Sequence, residues 1–193
     1  MKKSFIITES LIFIAFIVMD LLKIDSTFIK YFGIILCFLY ALYNRKKFQS
    51  ASMIFTLIAD FFLLILNDYY EIGVSSFIIV QFIYLYFLGN INSAYFNMFL
   101  YIRGYLIIVG SILLYMFKAM SLLNELVLIY FVNLIMNAIY AYVIKNKTPA
   151  LGLILFVCCD VCVGLHNINA AYSLATFLMW VFYLPSQVLI VLA

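Results

Sequence analysis

Charged residues are scarce in this chain, and their scarcity excludes a soluble globular domain. Asp, Glu, Lys and Arg make up 10% of the 193 residues, whereas hydrophobic residues make up 69%. Soluble domains average about 25% charged and about 45–50% apolar residues. Because the apolar segments are long and continuous, helices are favoured over the strands of a barrel. The sequence therefore predicts an all-α integral membrane protein with a single transmembrane domain over residues 1–193.

Histidine, proline and glycine are also scarce, and this limits the kinds of site that the chain can build. A catalytic zinc site takes three protein ligands, commonly including several His, but the chain has one histidine. This disfavours a metal-dependent membrane hydrolase of the ceramidase type, and we expect neither a metal nor a cofactor. With two prolines and seven glycines, the broken helices typical of transporters are hard to place. We expect the four cysteines to be small packing residues.

Eight apolar segments are predicted to cross the bilayer as helices. A helix needs about 20 residues to span a hydrocarbon core of about 30 Å, so the second segment is short and is expected to tilt little. The predicted spans are residues 5–22, 28–43, 50–66, 73–89, 98–117, 122–144, 149–165 and 172–193.

The distribution of Lys and Arg predicts the orientation of these spans. If the N-terminus is inside, eight of the eleven basic residues lie at cytoplasmic ends. Cytoplasmic ends carry the excess of Lys and Arg in most membrane proteins. We therefore expect a multi-pass protein of the cell membrane with both termini in the cytoplasm. The net charge of +3 then reflects topology, and we expect no nucleic-acid partner.

Two aspartates stand alone inside apolar segments, 100 residues apart. Asp60 lies in the third span and Asp160 in the seventh, and Asn67 and Asn167 repeat the same offset. The pattern predicts a weak internal repeat of two parallel four-helix units, over about residues 28–90 and 122–193. Both carboxylates are expected roughly 15 Å deep, near the middle of the core, where they can meet across a pseudo-twofold axis.

Other polar residues recur at helical spacing on the spans around these aspartates. For a single Asn or Tyr, the simplest interpretation is an interhelical hydrogen bond, worth about 0.6 kcal/mol on average. Ionisable groups inside a membrane usually have a functional role instead. The polar sets are Thr56, Asp60 and Asn67 on span three, Gln81 and Tyr84 on span four, Tyr130, Asn133, Asn137 and Tyr140 on span six, Asp160, Gly164 and Asn167 on span seven, and Thr176, Trp180, Tyr183 and Gln187 on span eight.

Span five has no such set and is expected to be peripheral. Lys30 and Arg103 lie near the ends of their spans, where long basic side chains commonly extend to the lipid headgroups. The alternative interpretation is that one of them holds a lipid phosphate.

Several ordered pieces of the sequence carry a family resemblance. They are FTLIADFFLLI, VSSFIIVQFIYLYF, VLIYFVNLIMNAIYAY, ALGLILFVCCDVCVG and FYLPSQVLIVL. From about residue 28 to the end, the chain resembles the YhhN-type membrane lysoplasmalogenases. Ala59 stands where that family usually has Gly, and Cys159 where Ser is common. Gln81 stands where His is common, and Gln cannot relay protons as His does.

The resemblance implies hydrolysis of the vinyl ether bond of lysoplasmalogens to a fatty aldehyde and a glycerophospho-alcohol. It implies that Asp60 and Asp160 are the catalytic pair, and that the partners are a lysolipid substrate and membrane lipids. The residues expected to bind substrate are Lys30, Thr56, Gln81, Tyr84, Tyr130, Asn133, Asn137, Tyr183 and Gln187.

Two carboxyl groups in a low-dielectric site suit this chemistry. Burial and a like-charged neighbour both disfavour ionisation, so such a pair shares one proton and titrates as a unit. One group would be the general acid, and the other would stabilise the cation that forms. Two further functions remain open: a proton-coupled transporter of a small molecule or lipid, and a lysolipid-binding relative without catalysis, which Gln81 favours.

Overall fold

The chain folds as a bundle of eight α-helices in a computed structural model that describes residues 2–168 and 172–193. The third helix continues into a π-helical segment, and the part of the chain that is described contains no strand, so the predicted all-α fold is confirmed. The helices are α1 (Lys2–Leu21), α2 (Thr27–Tyr43), α3 (Lys47–Asp60) with the π-helical segment (Phe61–Leu66), α4 (Tyr70–Ile91), α5 (Phe96–Met116), α6 (Leu122–Val143), α7 (Lys147–Asn167) and α8 (Tyr172–Leu192).

Seven of these helices are long and apolar enough to cross a membrane, if α3 and its π-helical segment are taken together. The exception is α2, whose 17 residues fall short of the about 20 that a full span needs, as its sequence predicted. A helix satisfies all of its own backbone hydrogen bonds, which is why these apolar segments adopt it inside a bilayer. The chain is therefore a multi-pass membrane protein.

Six of the helices form a closed ring. Around it α2 contacts α3, α3 contacts α4, α4 contacts α6, α6 contacts α7, α7 contacts α8, and α8 returns to α2. The other two helices lie outside the ring, where α1 packs on α2 and α8, and α5 packs on α6. The predicted peripheral position of the fifth span is therefore confirmed. The backbones of α7 and α8 approach closely at Gly152, where a Cβ atom would lie 3.1 Å from the carbonyl oxygen of Ser186.

The turn between α2 and α3 has the same backbone geometry as the turn between α6 and α7. Arg45 and Lys145 have φ angles of 54° and 59°, in the left-handed region. The amide of Arg45 donates to Leu42, as that of Lys145 does to Tyr142, both at 3.0 Å. The following residue closes a longer bond back to Ala41 or Ala141, which completes a Schellman motif. The ends of α1 and α5 close with the same motif, at Lys23 and Lys118, so the geometry does not distinguish the offset of 100, and the repeat stays a prediction.

Candidate functional site

Asp60 is held inside the ring by a tyrosine from another helix. It is the last residue of α3 and is 5% exposed. The hydroxyl of Tyr183 on α8, also buried, lies 2.9 Å from Oδ1 and 2.7 Å from Oδ2 of the carboxylate. The carboxyl group therefore faces the ring interior, and one tyrosine fixes its orientation.

Asp160 is held in a similar way by a different helix of the ring. The hydroxyl of Tyr130 on α6 donates to Oδ2 of Asp160 at 2.5 Å. Asp160 is only partly buried, unlike Asp60. Both aspartates are therefore bound by a tyrosine, but the two tyrosines come from helices that are not equivalent in the repeat.

The two aspartates lie at the same distance along their helices. Each is the fourteenth residue of its helix, since α3 begins at Lys47 and α7 at Lys147. Thirteen steps of about 1.5 Å place both Cα atoms about 20 Å from the helix start. The helices begin two or three residues before the predicted apolar spans, so this distance includes residues outside those spans, and the depth of roughly 15 Å in the core stays a prediction.

An aromatic cluster lies between the two carboxylates. The ring of Phe156 is 5.4 Å from that of Tyr183 and 6.4 Å from that of Tyr130. Phe77 packs on both Tyr130 and Phe156, at 5.5 and 5.6 Å. No hydrogen bond joins the two carboxyl groups directly in the described residues, although Tyr130 lies within electrostatic range of both. Their role as a catalytic pair stays a prediction.

Six other residues predicted to bind substrate are buried in the bundle. They are Thr56, Gln81, Tyr84, Asn133, Asn137 and Gln187. Several of their polar atoms have no hydrogen-bond partner among the described residues: Thr56 Oγ1, Gln81 Nε2, the Tyr84 hydroxyl and both amide atoms of Gln187. Leaving such an atom unpaired costs about 1–3 kcal/mol, so these groups are ones that water or a polar ligand would satisfy. A cavity of about 10 Å³, which is about one water in size, borders Tyr84.

Arg103 is buried and hydrogen-bonded, so the prediction that it extends to the headgroups was wrong. It is the eighth residue of α5 and 3% exposed. Its guanidinium donates to Oδ1 of Asn133 at 2.8 Å and to Oδ1 of Asn137 at 3.0 Å. Asn137 Nδ2 in turn donates to Gln81 Oε1 at 3.0 Å. This chain of bonds leaves the Nε2 donor of Gln81 without a protein partner among the described residues. A lone Arg eight residues into an apolar span is the signal that marks such a group.

Lys30 is also buried, so extension to the headgroups is wrong for this residue too. Its Nζ lies 2.8 Å from Oδ2 of Asp20, at the end of α1. It sits 5.5 Å from the centroid of the Phe16 ring and 5.3 Å from that of Trp180, so cation–π attraction supplements the ion pair. Trp180 packs on Tyr183 at 5.2 Å and links this end of α2 to Asp60. The sequence did not single out Asp20.

Asn67 does not share a face with Asp60, contrary to the sequence prediction. The π-helical segment between them has one more residue per hydrogen-bonded loop than an α-helix, which rotates the faces out of register. Asn67 instead ends the segment with a φ angle of 51° and accepts a hydrogen bond from Tyr70. Asn167, the last residue of α7, is likewise exposed. No residue in FFLLIL signals a π-helix.

Glu9 is a further carboxylate inside the bundle, and the sequence did not identify it as a site residue. It lies on α1 at 3% exposure, and its Oε1 accepts a hydrogen bond from the Cys37 thiol at 3.7 Å. Its other oxygen has no partner among the described residues. Like Arg103, Glu9 is the eighth residue of an outer helix, and Cys37 corresponds to Asn137 at the offset of 100. A carboxylate far from either end of α1 is the signal that could have found it.

Most of the chain matches the model of one known family. Within residues 2–168 and 172–193, no three His, Cys, Asp or Glu side chains are grouped so that they could hold a metal ion. No curated protein and no solved structure matches the chain. The family model for the YhhN family matches residues 26–193, which include all of the ring. The chain therefore belongs to the YhhN family, a lysoplasmalogenase-like family of membrane proteins that is associated with hydrolase activity.

Proposed function

We propose that this protein hydrolyses the vinyl ether bond of lysoplasmalogens, with Asp60 and Asp160 as the acid–base pair. The observation that supports this most directly is the arrangement of the two carboxyl groups. They lie at the same distance along their helices, and each accepts a hydrogen bond from a buried tyrosine. Membership of the YhhN family adds independent support.

The reaction begins with proton transfer to carbon. A vinyl ether is protonated at the alkene carbon distant from its oxygen, and an oxocarbenium ion forms. The carboxyl group that carries the shared proton supplies it, as a general acid. The ionised carboxylate stabilises the cation across a low-dielectric site, where electrostatic interactions are strong.

Water then completes the hydrolysis. A water molecule adds its oxygen to the cationic carbon and gives a proton to the carboxylate. The resulting hemiacetal collapses, the carbon–oxygen bond to glycerol breaks, and the glycerol oxygen receives a proton. The products are a fatty aldehyde and a glycerophospho-alcohol, and the pair again holds one proton.

The other buried polar groups have roles that follow from their hydrogen bonds. Tyr130 and Tyr183 hold the carboxyl groups in place as positioning residues. The unpartnered atoms of Thr56, Gln81 and Gln187 are suited to bind water or the polar part of a lysolipid. Lys30, which is close to Trp180 and through it to Tyr183, is suited to the phosphate if the lipid displaces Asp20.

The proposed location is the cell membrane, with both termini in the cytoplasm. Arg45, Lys46, Lys145 and Lys147 flank the two equivalent turns that would then face the cytoplasm. In this orientation both aspartates lie about 20 Å from the cytoplasmic helix ends at Lys47 and Lys147, and so near the middle of the hydrocarbon core. Tagging each terminus and measuring its protease protection in intact cells checks the orientation.

The test of the reaction uses Asp60→Asn and Asp160→Asn in purified full-length protein. Each should lose aldehyde release from a lysoplasmalogen, while Asp20→Asn, which changes a carboxylate outside the pair, should retain most of it. Wild-type-like release from either pair variant would rule out the mechanism. An ester lysolipid as parallel substrate tests whether the vinyl ether is the bond selected.

A proton-coupled transporter of a small molecule or lipid is a second candidate. The feature that favours it is Glu9, a buried carboxyl group outside the pair. Proteoliposomes separate the two functions, because transport predicts a flux that depends on a pH gradient and hydrolysis predicts aldehyde without one. A lysolipid-binding relative would bind the lipid and release no aldehyde.

A further inference from the structure

An apolar groove runs between α6 and α7 on the outside of the ring. Its volume is about 270 Å³. The residues that line it include Ile135, Ala138 and Tyr142 of α6, and Ile154, Val157 and Cys158 of α7. Because the helices cross a membrane, this groove faces hydrocarbon, and a chain that enters it gains van der Waals contacts rather than removal from water.

Three of the seven residues that line the groove have larger counterparts in the first half of the chain. At the offset of 100, Phe38 corresponds to Ala138, Leu57 to Val157, and Ile58 to Cys158. Phe38 packs against the core. Tyr31 of α2 also donates to the carbonyl of Leu57 on α3, at 3.3 Å. The contact between α2 and α3 is thus filled and tied, whereas small side chains leave the contact between α6 and α7 open.

The groove ends one helical turn from the candidate site. Val157, which lines the groove on α7, lies one turn before Asp160, and Ala138, which lines it on α6, lies about two turns after Tyr130. The Tyr130–Asp160 hydrogen bond joins the same two helices. One turn beyond Asp160, a Cβ atom at Gly164 would meet no described atom within 4 Å. Along α7, Asp160 therefore lies between the groove and the exposed position of Gly164.

We infer that the α6–α7 groove binds the hydrocarbon chain of a single-chain lipid, with the polar end of that lipid on the Gly164 side of Asp160. Ile154 and Cys158 lie about 10 and 16 Å from the start of α7, and Asp160 lies at about 20 Å. A chain in the groove therefore points toward the start of α7, and its first carbons lie beside Asp160. The identity of the lipid bond beside Asp160 is the only part of this inference that rests on the proposed function.

The test maps where a lipid chain binds, without requiring turnover. The probe is a lysophospholipid with a saturated ether-linked chain that carries a diazirine near its methyl end. The full-length protein in diacyl phosphatidylcholine nanodiscs is irradiated, and the labelled residues are identified by mass spectrometry. We expect label on residues 135–142 and 154–158, and we expect excess unlabelled lysophospholipid to compete with it. Label spread evenly over the lipid-facing helices, or label on α2 and α3, would mean bilayer lipid only and would overturn the inference.

The second part of the test is a variant that carries the residues of the first half of the chain at three positions of the groove. Ala138→Phe, Val157→Leu and Cys158→Ile together should reduce labelling about fivefold, because a chain held only by packing contacts cannot offset overlap with larger side chains. The single change Ala138→Phe gives a milder test with the same direction. Leu151→Phe, at a position on α7 that is 50% exposed and outside the groove, should leave labelling unchanged. Unchanged labelling in the groove variants would contradict the inference.

The outcome is separate from that of the proposed reaction. The probe has no vinyl ether, so labelling reports binding whether or not the protein is a hydrolase. Asp160→Asn should keep the label while it loses aldehyde release. Label in the groove without aldehyde release from the wild type would refute the reaction and retain the lipid site.

Discussion

The two halves of the ring present their aspartates to different surroundings. Asp60 is buried, and both of its oxygens lie within hydrogen-bond distance of one tyrosine hydroxyl. Asp160 is partly exposed, and one of its oxygens accepts a hydrogen bond from a tyrosine hydroxyl. The equivalent of Tyr130 in the first half is Lys30, which binds Asp20 instead. One backbone plan therefore supports a more buried aspartate in one half and a less buried aspartate in the other.

This difference indicates how a symmetric pair can divide its work. Two identical carboxyl groups in identical surroundings would share a proton without preference. Different surroundings push titratable groups apart, which is how acid and base roles are assigned in known enzymes. The partly exposed member, next to the groove, is the one that a lipid can reach first.

The largest effect on activity is expected from replacing the two carboxylates, first singly and then together. Asp60→Asn and Asp160→Asn should each lower kcat/KM for a lysoplasmalogen by about 10²–10⁴-fold, the range for loss of a general acid or base. The double variant should be little worse than either single one, because residues that act as a unit are not additive. Aldehyde release measured for all three gives the comparison. Effects that multiply would show that the two halves act independently.

The two tyrosines should differ in their contribution to stability. Tyr183→Phe removes the partner of a buried carboxylate and should lower the free energy of unfolding by about 1.5–3 kcal/mol. Tyr130→Phe should cost less, because Tyr130 bonds one oxygen of Asp160, whereas Tyr183 lies within hydrogen-bond distance of both oxygens of Asp60. Thermal unfolding in one detergent, with Tyr105→Phe on the lipid-facing side of α5 as control, measures both. Equal losses would contradict the difference in hydrogen bonding that separates the two aspartates.

The outer helices offer a second comparison, with effects of opposite sign. Arg103→Met leaves the acceptors on Asn133 and Asn137 without their donor and should destabilise by about 1–3 kcal/mol. Glu9→Met removes a carboxyl group whose partner is a thiol, and an apolar side chain of similar size should be neutral or stabilising. The shift in melting temperature decides the sign. A large loss from Glu9→Met would indicate a tightly bound partner for its second oxygen.

The smallest effect is expected at the Lys30–Asp20 pair. The two side chains are 10% and 19% exposed, and a coupling energy of about 1 kcal/mol is expected from a double-mutant cycle with Lys30→Gln and Asp20→Asn. If Lys30 also binds the lipid phosphate, Lys30→Gln should raise KM while Asp20→Asn does not. Equal KM values would restrict Lys30 to its structural role.

The sequence predicts the helices well because each carries its own signal. A run of about 20 apolar residues specifies a span whatever surrounds it. Asp60 and Asp160 stand out for the same reason, since a carboxylate in such a run is costly. Their equal position along the two helices followed from counting residues, and each is the fourteenth residue of its helix.

The partners of these residues could not be predicted from local pattern. Tyr183 is 123 residues from Asp60, and Tyr130 is 30 residues from Asp160. Helical periodicity tells which residues share a face, but in an apolar helix it does not tell which neighbour that face meets. The contacts of Arg103 were missed because its Asn partners lie on another helix, and Asn67 was misplaced because the π-helical segment shifts the register within one helix.

In the turns after α2 and α6, the residue that adopts the left-handed conformation also carries a positive charge. Arg45 and Lys145 hold a conformation that costs a non-glycine residue roughly 1–2 kcal/mol, and glycine would adopt it freely. In the proposed orientation, however, glycine would delete a positive charge that favours the cytoplasmic side for the loop. Replacing Arg45 or Lys145 with glycine is therefore expected to raise the stability of the protein and to weaken its preference for one membrane orientation.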